Sequence, residues 1–139
     1  MSCCNRFNDV AGIEEIQNGL CLAKKGTECI AEILNDIACC RGNLNRNTIL
    51  INRSCELVEA GMAEICEGLR VIDRCCNRQA VCCIEKGVCA LEKGVECVLA
   101  GNCKMKNGYV QCGLNQAEKG LEELAAGICA VSNGLCMLG

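Results

Sequence analysis

A chain of 139 residues with a formal charge of −3 is long enough for one domain with a real core, and it carries no electrostatic footprint for nucleic acid. It has no histidine, no proline and only two aromatic residues, Phe7 and Tyr109, which excludes histidine acid–base chemistry, histidine-containing metal sites and aromatic stacking platforms. Eighteen cysteines and 15 glycines are what has to be explained.

The first segment, MSCCNRFNDVAG, lacks the basic and apolar regions of a signal peptide. No apolar run reaches transmembrane length, since stretches such as ELAAGICAV are soon interrupted. The expectation is synthesis in the cytosol and no membrane insertion. Structural disulfides are rare in that compartment. Either the thiols stay reduced and bind metal, or the protein is cross-linked after leaving without a signal peptide or on lysis of its mother cell.

Apolar residues then recur at i, i+3, i+4 and i+7 with no sustained strand alternation, which predicts an all-α protein. Helices are expected over 9–38, 47–74, 78–104 and 110–137, joined near 41–46, 75–77 and 104–109. RGNLNRN (41–47) is a loop by composition. The middle junction is marked only weakly, and one long kinked helix over 47–104 is the alternative. Cys4, Cys40, Cys76 and Cys112 recur every 36 residues, so the chain reads as one domain of four repeats, about 4–39, 40–75, 76–111 and 112–139. An antiparallel four-helix bundle is the expected architecture.

Thirteen glycines fall on heptads: Gly12, Gly19, Gly26; Gly61, Gly68; Gly87, Gly94, Gly101, Gly108; Gly113, Gly120, Gly127 and Gly134. Each costs a helix about 1 kcal/mol relative to alanine, so together they cost roughly 10 kcal/mol, comparable to a domain's net stability. Close approach of helix backbones along small-residue seams would offset this. Taking each glycine as position 0, positions +1 and +4 are mostly apolar, and the glycines lie on the edge of the buried stripe.

On the same wheel Cys21, Cys82, Cys89, Cys103, Cys129 and Cys136 fall at +2 and Cys66 at +5, facing away from the stripe. Cys29, Cys83 and Cys97 fall at +3, on its flank, and Cys55 at +1, inside. Cys3, Cys4, Cys39, Cys40, Cys75, Cys76 and Cys112 sit at the repeat junctions. No two cysteines are two to five residues apart, so the C-x-x-C signature of zinc, iron–sulfur and thioredoxin-type sites is absent. Spacings of seven and eight put neighbouring thiols about 10–12 Å apart along a helix, so each must find its partner on another helix or another chain.

A four-helix bundle with this many cysteines resembles the bacterial copper storage proteins, which hold Cu(I) on thiols lining the bundle core. Their helices carry C-x-x-x-C, which this chain lacks. The cysteine richness, repeats and missing secretion signal also resemble the cysteine-rich proteins of bacterial spore coats and exosporia, which self-assemble and become disulfide cross-linked. That second resemblance implies assembly on a spore or cell surface.

The resulting expectation is a structural protein, not an enzyme, with no cofactor and no small-molecule substrate, whose partner is itself. Its intermolecular disulfides would come from the junction cysteines and from Cys21, Cys66, Cys89, Cys103, Cys129 and Cys136. Gly12, Gly19, Gly26, Gly61, Gly68, Gly87, Gly94, Gly101, Gly120, Gly127 and Gly134 would form the close-packed seams. The alternative is a cytoplasmic Cu(I) store, with Cys29, Cys55, Cys83 and Cys97 as ligands.

Overall fold

The apolar period folds into four helices: α1 (Arg6–Ala38), α2 (Leu44–Val71), α3 (Arg78–Lys106) and α4 (Val110–Leu138). The computed structural model describes residues 6–138 and has no strand among them; Cys3 and Cys4 lie outside. Short links make successive helices antiparallel, and the four form a bundle packed pairwise, with the α1–α2 and α3–α4 contacts far more extensive than those of α2 with α3 or α1 with α4. The core runs along the bundle through Ile16, Ile30, Ile65, Ile84, Leu91 and Leu124, each fully buried.

The helix ends have local causes. α2 starts three residues before the expected 47 because Asn43, extended at φ −101° and ψ 124°, accepts the Arg46 N–H on its side chain. It stops at Val71 because Ile72 turns extended and buries its side chain. The break continues at Asp73, whose Oδ1 accepts the N–H groups of Cys75 and Cys76 at 2.9 and 3.4 Å. Asp9 of α1 reaches across to the same turn, accepting the Asp73 N–H at 3.0 Å and the Asn77 side-chain amide at 3.1 Å. Residues 47–104 are therefore two helices, and the turn between them is tied to the start of α1. Gly108, in heptad register by sequence, serves a turn: its φ is +95° and nothing lies near the place of its absent Cβ.

The remaining heptad glycines build two seams. Gly12 opposes Gly68, and Gly19 opposes Gly61, between α1 and α2. Gly87 opposes Gly127, Gly94 opposes Gly120, and Gly101 opposes Gly113, between α3 and α4. In each pair a Cβ on one glycine would collide with the backbone carbonyl of the other; at Gly19 it would lie 2.5 Å from the Gly61 oxygen. The α-hydrogens thus face carbonyl oxygens, and C–H···O contacts of about 0.5–1 kcal/mol each help to offset the helix cost of glycine. The pairing rule changes at one end of each seam: Gly134 meets the Ala80 carbonyl, and Gly26 meets the Ser54 carbonyl, the buried Ser54 hydroxyl being returned to the Leu50 carbonyl at 2.9 Å.

These seam glycines are all buried, whereas position +1 is mixed: Leu20, Leu69 and Val95 are buried, and Ile13, Met62, Val88, Leu121, Ile128 and Leu135 are only half-buried. The glycines therefore sit nearer the middle of the buried stripe than its edge, because at these positions the backbone itself is the packing surface. Between the two hairpins no such glycine pair is formed among the described residues, the nearest neighbours of each seam glycine lying in its own hairpin. There the register of α2 on α3 is set by Asn102, 1% exposed, whose side-chain amide donates to the Thr48 carbonyl and to Asn52 Oδ1, both at 2.9 Å.

α4 departs from the sequence expectation. It is long and apolar enough to cross a membrane by length and composition, its most apolar stretch averaging a hydropathy of 1.3. After Glu123 it carries no charged residue, so alanines and cysteines on its outer side raise the average.

Candidate functional site

Fifteen described cysteines are free thiols, and their positions divide them into three groups. Twelve are exposed: Cys21, Cys29, Cys39, Cys40, Cys66, Cys75, Cys82, Cys89, Cys103, Cys112, Cys129 and Cys136. All the +2 cysteines and Cys66 are among them, as the helical wheel placed them. Cys29 is among them too, which corrects its placement on the core flank. Cys76 is disulfide-bonded and stands apart from the free thiols.

The antiparallel topology gathers junction thiols at two poles. One pole holds the α1–α2 link with Cys39 and Cys40, and the α3–α4 turn flanked by Cys103 and Cys112. The other holds the α2–α3 turn with Cys75, beside the end of α4; a surface hollow there is lined by Cys75, Arg78, Ala80 and Met137. The flanks between the poles carry Cys21 and Cys29 on α1, Cys66 on α2, Cys82 and Cys89 on α3, and Cys129 on α4.

The second group is half-buried and engaged within a hairpin. Cys83 donates its S–H to the Ala130 carbonyl at 3.2 Å, and Cys97 to the Gln116 carbonyl at 3.1 Å. Both bonds run from α3 to α4 beside the glycine seam. Sequence reasoning missed this role, although the two thiols lie two heptads apart, each three residues from a heptad position.

Cys55 forms the third group. It is 1% exposed, and burial pushes its thiol up to about 12, with the Glu59 carboxylate adding to the rise. In the unfolded chain the same thiol ionises near 9.0. Above that pH the unfolded state loses a proton that the folded state keeps, so Cys55 takes stability away as pH rises from about 9 toward 12. Urea unfolding in reductant should therefore show wild type losing about 1.4 kcal/mol per pH unit above 9 relative to Cys55→Ala. Every other residue is common to the two proteins, so its contribution cancels in the comparison. A difference that stays constant between pH 8 and 10 would mean that Cys55 is not shielded.

Cys29, Cys55, Cys83 and Cys97, the alternative metal ligands, lie on three helices and at three depths. Among the described residues no three cysteine, aspartate or glutamate side chains gather closely enough to hold a metal ion.

These features define a cysteine-rich four-helix protein made of two glycine-seamed hairpins. No protein-family model, no curated protein and no solved structure matches the chain.

Proposed function

We propose that this protein is a self-assembling structural subunit whose copies are joined by disulfides into a filament or lattice. The observation that carries the reading is the dispersal of twelve exposed thiols over both poles and every flank of the bundle. A thiol face in solvent is an oxidation liability for a soluble monomer. The same face is useful where it meets another copy. The last part of α4 supports this: it is uncharged, and it exposes Ala125, Ala126, Cys129, Cys136 and Met137. Intermolecular disulfides would add kinetic resistance beyond the bundle's own stability. A spore or cell surface as the place of assembly follows from the compositional resemblance to spore-coat and exosporium proteins.

The test is a denaturing gel of protein taken from its native source, with free thiols blocked at lysis, run with and without reductant. Covalent assembly predicts a ladder or insoluble material that collapses to a band at 14.8 kDa on reduction. A single monomer band with its thiols all blocked would sink this reading. Titration of the reduced protein with Cu(I) would then decide whether the thiols converge on metal instead.

A further inference from the structure

Cys82 stands in a hollow beside the first turns of α3. Arg74, Cys75, Arg78, Val81, Cys82 and Glu85 line it, and it holds about 220 Å³. A second hollow of about 370 Å³ adjoins it through Cys82 and Glu85, and adds Lys86, Cys89 and Lys93 of α3 with Glu123 of α4. The first alone is smaller than ordinary small-molecule sites, which run from about 300 to 1,000 Å³, and the two together reach that size. Val81, 3% exposed, gives the first hollow an apolar floor. The charges around it are unequal. Arg74 Nη1 meets Glu85 Oε2 at 3.0 Å, so the one carboxylate of the first hollow is already answered. Arg78 and Lys86 make no ion pair among the described residues. They stand four residues before and four after Cys82, so both lie on its face of the helix. No other exposed thiol has a cation at both of these positions; Cys89, one heptad on, has Glu85 and Glu92 beside its lysines.

We propose that this hollow binds a low-molecular-weight disulfide bearing carboxylates, and that Cys82 takes up half of it as a mixed disulfide. Arg78 and Lys86 meet the carboxylates, and the Val81 floor takes the carbon chain. The Cys82 thiol gives its proton to water, and its sulfur attacks one sulfur of the small disulfide. The small S–S bond breaks, a bond from Cys82 Sγ to the attacked sulfur forms, and the leaving thiolate takes up a proton. The small disulfide is itself the oxidant, and no other is required. The site lies within one chain. It needs no second copy, so it goes beyond assembly by disulfides and holds whether or not copies are joined.

The experiment incubates the full reduced chain, dilute, with oxidised glutathione, which is anionic, and in parallel with cystamine, a small disulfide of the opposite charge. Samples are alkylated at intervals and cut with trypsin without reduction, and fragmentation separates adducts on Cys82 from those on Cys83. Cys129 is the internal reference: it is exposed, and no charged residue lies within four positions of it. Cys82 should gain glutathione about three times faster than Cys129, or more, and should lose this lead with cystamine. In the double variant Arg78→Gln, Lys86→Gln, where both side chains are exposed, the glutathione lead should disappear with helical circular dichroism unchanged. Equal rates at Cys82 and Cys129 with glutathione would overturn the proposal. So would a lead that cystamine shares or that survives the double variant, because exposure and not charge would then set it. Cys82 recovered bonded to another cysteine of the chain, and not to glutathione, would overturn it as well.

Discussion

Gly19→Ala should destabilise the protein by about 2 kcal/mol or more, although alanine is the better helix former by about 1 kcal/mol. The new Cβ would lie 2.5 Å from the Gly61 carbonyl oxygen, 2.8 Å from Ile65 Cγ1 and 2.9 Å from the Ile65 backbone nitrogen. Two of these three atoms are backbone, so no side-chain rotation relieves the clash. The α1–α2 hairpin has to open, and the adjoining pair of Gly12 and Gly68 loosens with it. Asn18→Ala, one residue away on the exposed side of α1, is the control and should be neutral or slightly stabilising. Gly94→Leu is the harsher version in the other hairpin, where even a Cβ would sit 2.8 Å from Leu124 and 2.9 Å from the Gly120 carbonyl oxygen. That variant should fail to pair α3 with α4. Urea unfolding under reducing conditions reads both effects without interference from disulfides. A Gly19→Ala protein more stable than wild type would mean that the seam is not tight.

This sensitivity explains how much of the fold could be read from sequence. The glycine heptads announced close helix approach because a repeated cost of that size needs a repeated gain. Four helices followed from the apolar period, and their ends fell within three residues of those expected. Partner choice along the seams was not legible, because it depends on link lengths and on how the chain turns. Ser54 illustrates this: it takes the position of a seam glycine, and its hydroxyl is silenced by a local bond to Leu50 that no pattern reveals. Asp9 and Asn102 fall at +4 and +1 of the glycine heptad, polar residues on the apolar stripe, and the pattern does not tell that each spans two elements far apart in sequence. The same limit applies to the thiols. Periodicity separated outward from inward cysteines and missed only the exposure of Cys29. It could not show that Cys83 and Cys97 are already spent on carbonyls of α4.

The two hairpins also differ from the seam that joins them. Within a hairpin, backbone meets backbone, and any added atom is excluded. Between hairpins, contact among the described residues rests on the buried Asn102 amide, the Asp9–Asn77 hydrogen bond, the exposed Arg74–Glu85 ion pair and side-chain packing. The rigid units are therefore the hairpins, and the α2–α3 interface is where the bundle can adjust. A chain of this kind can meet the geometric demand of disulfides at its ends without disturbing its glycine seams.

Replacing Cys39, Cys40, Cys103 and Cys112 with serine should stop covalent growth at the dimer while leaving the bundle folded. All four are exposed and lie at one pole, and none contributes to the core. Two helices packed side by side hold their axes 8–10 Å apart. A disulfide needs Cα atoms within about 4.4–6.8 Å, so flank thiols on ordinary helix faces are poorly placed to bond between copies. The glycine seams that would permit closer approach are consumed inside each hairpin. Thiols in or beside the links meet no such limit, since nothing fixes an axis-to-axis distance at the ends of the bundle. Copies would thus be joined pole to pole. A subunit with one pole silenced can still bond through Cys75 and Cys136 at the other, and two such subunits make a closed pair that cannot extend. The non-reducing gel should then show a dimer in place of the ladder, with helical circular dichroism unchanged. Serine at Cys75 and Cys136 as well should leave monomer alone. A ladder that runs on undiminished in the one-pole variant would place the bonds on the flanks, and the assembly would be a laterally linked sheet instead of an end-linked filament.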